Sequence, residues 1–184
     1  MVVYVLHVKA ELEGNIASVA IQPRSDICIS VRNPCSIDEV REEIIIDSSA
    51  LEEPHEDRDG HNEAPCHFAL KWKGHKERST IRVLWKGETE EKKRAGSVKG
   101  GHKQKVEDTI LTREMTASDS GEYVPMLAFE CKGIEPFAFH PNELLVTEKD
   151  GKQHDKIDVS SGAGQKFDLA TGIIAIRKIE TKFV

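Results

Sequence analysis

The sequence predicts a mostly β fold: a single antiparallel domain resembling a sandwich or barrel, with long charged loops. Apolar residues alternate with polar residues at a period of two, and helical periodicity is nearly absent. The apolar segments are short and separated by polar turns. With 184 residues, the chain is long enough to form one hydrophobic core without disulfides or a metal.

Four strands are predicted in the first 47 residues. Polar breaks separate them at Pro23 and at Asn33-Pro34. The last of the four, which contains Ile44-Ile45-Ile46, could be a short helix or a strand, and we favour a strand because isoleucine is β-branched. The four segments are Val2–Leu12, Ile16–Ile21, Asp26–Arg32 and Glu39–Asp47.

A hairpin is predicted from Cys66–Lys73 and Thr80–Lys86, joined by a polar turn that contains Gly74. Each strand places three large apolar residues on one face, and both Trp72 and Trp85 belong to these faces, so both are expected in or beside the core. The apolar residues are Phe68, Leu70 and Trp72 on the first strand and Ile81, Val83 and Trp85 on the second.

A charged segment without apolar periodicity follows the hairpin. Residues 86–122 are predicted to be a flexible charged insertion within the domain. Strand patterns then return in three segments up to the end of the sequence. These are Val124–Cys131, Leu144–Thr147 and Ile173–Val184.

Charge and composition restrict the classes of function. The net charge of −6 provides no general attraction for nucleic acid. No apolar run approaches the length of a membrane span, and the first residues read as a strand rather than a signal peptide. The four cysteines form no C-x-x-C pair, which favours free thiols in a reducing compartment. We therefore expect a cytoplasmic or nuclear protein, or one found in both, without membrane contact.

The most specific motif is the block Phe129-Glu130-Cys131-Lys132-Gly133-Ile134-Glu135-Pro136. It resembles the F-[ED]-C-[RK]-G-[LI]-E-P signature of the eukaryotic CXXC-motif-containing zinc-binding protein family. The segment from Leu6 to Pro23 is similar to that family's opening strand pair, and Asn62-Glu63-Ala64 and Phe167–Gly172 resemble two later motifs. The resemblance implies a β fold and a site in which two C-x-x-C pairs hold one zinc ion.

Both C-x-x-C pairs are missing at the positions that the resemblance assigns to them. At the first, Cys35 remains, and Arg32 or Asn33 stands in place of its partner, depending on the register. At the second, Trp72 and His75 occupy the cysteine positions. A structural zinc ion requires four thiolate or imidazole ligands, and an indole is not a ligand. We expect no cofactor, and two readings of Trp72 stay open: it fills the vacated volume, or it is an ordinary core residue.

The alternative is a zinc site rebuilt from other side chains. Cys35, Cys66, His67 and His75 together have the ligand chemistry that zinc prefers. However, Cys66 and His67 are adjacent, so on a strand their side chains point to opposite faces. We keep this site as the alternative to a chain without zinc.

No combination of nucleophile, base and oxyanion donor emerges, so we expect no enzymatic activity. The segment Ser118–Gly121 reads as a turn, and His140 is expected to cap or hydrogen-bond a turn. The short Gly162-Ala163-Gly164 is a weak phosphate-loop candidate. The acidic loop around His55 and His61 is typical of a solvated surface.

A basic cluster within the charged segment is the candidate partner-binding surface. We predict that it contacts an unidentified protein, which makes the chain a non-catalytic intracellular adaptor. The weaker alternative is a nucleic-acid-associated module that uses the same cluster. The cluster consists of Lys92, Lys93, Arg94, Lys99, Lys103 and Lys105.

Overall fold

The computed structural model describes residues 1–52, 64–85, 112–159, 165–169 and 172–184. These residues form β-strands and one short 3-10 helix, Ala117–Asp119, with no α-helix among them. No helix in these ranges is long and apolar enough to cross a membrane. The strands are β1 (Val2–Glu13), β2 (Ile16–Ile21), β3 (Asp26–Asn33), β4 (Ser36–Asp47), β5 (Phe68–Leu70), β6 (Ser79–Leu84), β7 (Met115–Thr116), β8 (Val124–Lys132), β9 (Glu135–His140), β10 (Glu143–Glu148), β11 (Gln153–Asp158), β12 (Gln165–Leu169) and β13 (Gly172–Phe183).

The strands form three antiparallel sheets, which confirms the predicted fold class. The largest has six strands in the order β12-β13-β1-β8-β6-β5. A second has the order β11-β10-β2-β7, and a third has the order β4-β3-β9. Shifts of register interrupt several of the ladders, including β1 with β8 and β3 with β4. Such bulges increase the local twist and bend the strands around a common interior.

One hydrophobic core lies between the sheets. The alternation in β1 buries Leu6, Val8 and Ala10, while the residues between them are half-buried. The other two sheets contribute side chains to the same cluster, including Ile29 of β3 and Val146 of β10, both fully buried. All three sheets are therefore held by apolar burial in one interior.

A buried carboxylate joins two turns at one end of the molecule. Asn15 Nδ2 donates a hydrogen bond of 2.9 Å to Glu148 Oε2, and His154 Nε2 lies 2.5 Å from Glu148 Oε1. The Glu148 side chain is fully buried, so these partners offset the loss of its hydration. The contacts connect the β1–β2 turn with the β10–β11 hairpin.

Most of the strands predicted from alternation are present. The first three extend as expected, and Glu39–Asp47 lies within a strand, β4, rather than a helix. The predicted hairpin exists as β5 with β6, but its first strand has only three residues. Four strands, β7, β9, β11 and β12, were not expected. β11 is mostly polar and exposed because it is the edge of its sheet, so it lacks the alternation that marks a half-buried strand.

The predicted charged insertion at 86–122 is described only in part, since residues 86–111 lie outside the described ranges. From Thr112 onward the chain belongs to the fold: Met115 is in the core, and β7 pairs with β2. Ser118–Gly121 is a turn, as predicted, which begins in the 3-10 helix. Asp119 caps this helix by accepting hydrogen bonds from the backbone N–H and hydroxyl of Thr116, at 2.8 and 2.6 Å.

The Asp119 cap predicts a pH dependence of stability. Two hydrogen bonds from Arg113, at 2.6 and 2.7 Å, and those from Thr116 hold the pKa of Asp119 well below its ordinary value. A carboxyl whose pKa is lowered by folding stabilises the protein above its unfolded pKa, and that contribution is lost as the pH falls toward the folded pKa. We expect Asp119→Asn to cost about 1–2 kcal/mol at neutral pH.

The difference between wild type and Asp119→Asn should shrink as the pH is lowered below about 4, because the carboxyl of the unfolded chain then binds a proton while the folded one, with its lowered pKa, stays charged. Urea denaturation at several pH values measures this difference in unfolding free energy. Glu122→Gln is a matched control, because the exposed Glu122 side chain has no ion pair among the described residues. A pH-independent difference would contradict the assigned role of the Asp119 charge.

Candidate functional site

The first of the two degenerate C-x-x-C positions is the tight turn between β3 and β4. Asn33 pairs with Ser36 across Pro34 and Cys35. The Asn33 side chain is buried and serves both strands: its Oδ1 accepts the backbone N–H of Cys35 at 2.9 Å, and its Nδ2 donates to Glu39 Oε2 at 2.6 Å. The thiol that remains, Cys35, is exposed. An amide therefore organises this turn.

The second position is a turn that follows β5. The backbone N–H of His75 donates to the carbonyl of Trp72 at 3.2 Å, and Gly74 supplies the positive φ of 78° that the turn requires. The Trp72 side chain is only 2% exposed. Its indole Nε1 donates to the carbonyl of Gly133 at 2.8 Å, so the N–H of Trp72 keeps a partner although the side chain is buried.

The two turns meet. Asn33 Nδ2 lies 3.4 Å from His75 Nε2, within reach of a weak hydrogen bond. From β4, the Arg41 guanidinium stacks over the Trp72 ring at 5.6 Å from its centroid, a cation–π contact. We call Asn33, Glu39, Arg41, Trp72 and His75 the turn clamp. The turn clamp joins the three-stranded sheet to the end of the six-stranded sheet.

The signature block packs against the turn clamp. Phe129 and Cys131 of β8 are in the core, as is Ile134. Between them, Gly133 has a φ of 65° and presents its carbonyl to Trp72; a Cβ there would lie 2.6 Å from Ser79 Oγ. The positive φ and the lack of space both explain a glycine at this position.

The last part of the block makes an ion pair across the sheet. Glu135 of β9 pairs with Arg32 of β3, and their side chains form a salt bridge. The hydrogen bond from Arg32, reinforced by its charge, lowers the pKa of Glu135 below its ordinary value. The same pairing raises the pKa of Arg32. Arg32 is therefore committed to Glu135, which excludes it from any ligand role at the first turn.

The residues at the former cysteine positions do not fit a structural zinc ion. Trp72 has no lone pair to donate, and its N–H is bound to Gly133. The Asn33 amide binds Cys35 and Glu39, and Arg32 is a cation. Zinc at four-coordinate structural sites is held by thiolates and imidazoles. At most Cys35 and His75 offer such groups here.

The rebuilt set of Cys35, Cys66, His67 and His75 is not assembled either. Cys66 is buried, in a bridge with Glu52. His67 Nδ1 accepts the backbone N–H of Val83 at 3.0 Å, so that nitrogen is occupied. Within the described ranges, no group of three or more His, Cys, Asp or Glu side chains is arranged to hold a metal ion.

Two of the buried thiols, Cys131 and Cys28, are kept protonated by burial. Burial, with a smaller effect from Glu130, raises the pKa of Cys131 to about 12. Burial also raises the pKa of Cys28, with Glu43 adding to the effect. A thiol in this state is a poor nucleophile and a poor metal ligand. Cys131 in the signature block is therefore a packing residue.

Comparison with known proteins identifies the architecture. The model of the family described as "CXXC motif containing zinc binding protein, eukaryotic" matches residues 5–183. The chain belongs to this family. This confirms the resemblance drawn from the signature block, in a member that lacks the paired cysteines from which the family is named.

The individual proteins that resemble the chain are distant in sequence. UPF0587 protein CG4646 of Drosophila melanogaster is 29% identical over 72 residues, which are 38% of this chain and 44% of that protein. The match therefore spans less than half of the relative. A hypothetical protein from Plasmodium falciparum has a TM-score of 0.73 at 19% identity, covering all of both chains. The crystal structure of C1orf123 has a TM-score of 0.70 at 16% identity, covering 100% of this chain and 99% of the other.

Several predicted sites lie outside the described residues. They are the basic cluster (Lys92, Lys93, Arg94, Lys99, Lys103 and Lys105), the histidines His55 and His61 of the acidic loop, and the glycine segment 162–164. Trp72 is buried and Trp85 packs half-buried against the core, as expected for both. Sequence reasoning did not find Arg41 or the Gly133 carbonyl, because nothing in their local pattern indicates Trp72, a partner so distant in sequence. It did not find Glu39 either, which reaches Asn33 across the β3–β4 turn.

Replacing Trp72 by Ala should remove the centre of the turn clamp. We expect a loss of about 3–5 kcal/mol of unfolding free energy, because a large buried side chain and its hydrogen bond disappear together. Trp72→Phe is the matched variant: it retains most of the apolar volume and loses the N–H, at a cost of about 1–2 kcal/mol. Urea denaturation measures both, and a loss below about 1 kcal/mol for Trp72→Ala would reject this role.

Thiol reactivity tests the packing of the signature block. In the folded protein only Cys35 is exposed, whereas Cys28, Cys66 and Cys131 are buried. We expect one thiol to react rapidly with a disulfide reagent in buffer and all four cysteines to react in denaturant. Cys35→Ser should abolish the fast phase. A fast phase that persists in that variant would show that one of the other thiols is accessible.

Proposed function

We propose that this chain is a non-catalytic intracellular adaptor, cytoplasmic or nuclear or both, that works through protein contacts without zinc. The observation that carries the proposal is the turn clamp. Two hydrogen bonds, from Trp72 to Gly133 and from Asn33 to Glu39, hold the two turns in place. In a zinc-binding protein of this fold, metal ligands would hold these turns instead. The chain keeps the fold and the signature block of the family but lacks the two C-x-x-C pairs that would bind zinc. What is left is a folded β scaffold with charged surfaces.

The one serine–histidine contact among the described residues supports the non-catalytic reading. Ser30 Oγ lies 2.8 Å from His140 Nε2. Ser30 is buried, however, and its Oγ also accepts the backbone N–H of Glu43 at 3.1 Å. The contact links β3, β4 and β9, so His140 bonds to a strand rather than to a turn as the sequence suggested. An inaccessible hydroxyl in this setting holds strands together.

The metal-binding alternative has less support. It needs Cys66 and His67 to turn toward Cys35 and His75, and the Val83 N–H would then lose the acceptor that His67 Nδ1 now provides. An unpaired backbone N–H in the interior costs about 1–3 kcal/mol. A gain of metal affinity would have to exceed that cost.

We assign partner contact to the basic cluster of six residues defined above. Its charge contrasts with the acidic balance of the whole chain, whose net charge is −6. A local basic patch on an acidic protein favours an acidic protein surface over nucleic acid, since the overall charge of the chain opposes a polyanion. The contact should weaken as salt is raised.

Metal content is the first test. The purified protein should hold well under one zinc ion per chain by elemental analysis, and a chelator should leave its melting temperature unchanged. Both follow if the turn clamp supplies the stabilisation that zinc supplies to small knuckles, on the order of 10 kcal/mol. Stoichiometric zinc, with a melting temperature that falls on chelation, would overturn the proposal and favour the metal-binding alternative.

Partner recovery is the second test. A tagged chain carrying Gln at Lys92, Lys93 and Arg94 should recover less partner protein from native cell extract than wild type, as measured by quantitative mass spectrometry. A matched control replaces the exposed lysines Lys149, Lys152 and Lys156 by Gln and should behave as wild type. Loss of recovery after nuclease treatment would favour the nucleic-acid alternative. Equal recovery by both variants would place the contact elsewhere.

A further inference from the structure

The free edge of β4 is unusual among the sheet edges of the described residues. β4 has 12 residues, whereas the edge strands β5, β7, β9, β11 and β12 have 3, 2, 6, 6 and 5. Its backbone pairs with β3 on one side and with no other described strand. A long edge strand presents a row of unpaired N–H and C=O groups and is a template for another strand.

β4 lacks two of the devices that usually blunt such an edge. It contains neither lysine nor proline. Two of its isoleucines project into solvent, Ile37 with 77% of its surface exposed and Ile45 with 63%. The strand does carry a bulge at Glu42 and Glu43, where Glu43 adopts a φ of 51°. Beyond that bulge, Ile44–Asp47 pairs regularly with β3.

The charge of β4 is strongly one-sided. Five of its twelve residues are carboxylates and one is an arginine. The arginine, Arg41, is held over Trp72, and Glu39 accepts a hydrogen bond from Asn33. That leaves the exposed carboxylates of Asp38, Glu42, Glu43 and Asp47 along the strand. This uncompensated row favours a cationic ligand.

The edge is also held in place before any ligand arrives. Ile46 is fully buried and Ile44 packs against the core. Near the other end, the turn clamp fixes Glu39 and Arg41 to Asn33 and Trp72. A rigid edge pays less conformational entropy on binding than a mobile one.

We propose that the free edge of β4 binds an extended segment of a partner protein that carries basic side chains, by strand addition. Backbone hydrogen bonds to β4 supply the affinity, and the carboxylates select lysine or arginine on alternate positions of the segment. Ile45 shares a face with Asp47 and packs against the aliphatic part of an incoming lysine. The inference rests on the proposed interaction function and names one surface and one class of ligand for it.

Synthetic peptides test this binding mode directly. The probe is a fluorescent peptide in which valine and lysine alternate; one comparison peptide has glutamate in place of lysine, and another has the lysine sequence with alternate backbone nitrogens methylated. Fluorescence anisotropy at low salt should show binding of the lysine peptide, and at least about tenfold weaker binding of the other two. Amide hydrogen exchange at Ile44–Asp47 should slow when the lysine peptide is bound.

Substitutions in the protein provide the second part of the binding experiment. Asp38→Lys/Glu42→Lys should weaken binding of the lysine peptide by at least about tenfold. Both side chains are exposed and without an ion pair among the described residues, so folding should be unaffected, and circular dichroism checks this. Glu122→Lys/Asp155→Lys makes the same charge change at other exposed positions and should bind as wild type. Similarly, Ile45→Lys should weaken binding and Val2→Lys should not.

Three results would overturn the inference. The first is equal binding of the methylated and unmethylated lysine peptides, because simple charge attraction would then suffice. The second is undiminished binding by the folded Asp38→Lys/Glu42→Lys variant, or no binding by wild type. The third is a rise in affinity of more than about tenfold when residues 88–104 are deleted, because the chain's own basic segment would then be the occupant.

The outcome separates this inference from the proposed function. If the lysine peptide fails to bind while the basic cluster still controls recovery of a partner, the edge proposal is wrong and the adaptor proposal stands. If the chain proves to hold stoichiometric zinc while the peptide binds as expected, the zinc-free function is wrong and β4 remains a binding edge.

Discussion

The structure depends on how the two turns at the ends of β3 and β5 are held together. They belong to different sheets, and the hydrophobic core does not by itself fix their distance. The Trp72 indole fixes the distance between the two turns, because its N–H donates to the carbonyl of Gly133 and its face is covered by Arg41 from β4. A metal would fix the same distance with four short, directional bonds. Here one large side chain fixes it by volume, one hydrogen bond and one stacking contact.

This arrangement explains how the signature block persists without the ligands that accompany it in the family. Phe129 and Cys131 fill the core, Gly133 allows the chain to turn beneath Ser79, and Glu135 pairs with Arg32. None of these roles involves a metal. These residues form the surface against which the two turns pack, and that surface is needed whether zinc or tryptophan holds the turns. Cys131, whose thiol pKa is raised by burial, packs in the core as a small apolar side chain.

Alternation in the sequence was sufficient to predict the strands that bury one face. β1 was recognisable because it buries every second residue against the core. β3 and β8 are buried along most of their length and were recognisable as short apolar runs between polar breaks. β4 was recognisable from its run of three β-branched isoleucines, although only Ile46 of that strand is buried. β9 was not recognised because Pro136 and a bulge beside it interrupt the pattern. The place of the degenerate site and the burial of Trp72 could also be predicted. Its partners could not, because Arg41 and Gly133 are distant in sequence and follow from sheet topology alone.

The pairing of β1 with β13 constrains how the chain can be assembled on the ribosome. Val5 and Val184 exchange backbone hydrogen bonds of 2.8 and 3.0 Å, so one side of the first strand is completed by the last. Until β13 emerges, the nascent chain exposes an unpaired edge of β1 beside the largest sheet. Such an intermediate has the features of an aggregation-prone species, and contacts this distant in sequence form slowly. Synthesis therefore passes through a long interval in which one edge of β1 waits for the strand that completes it.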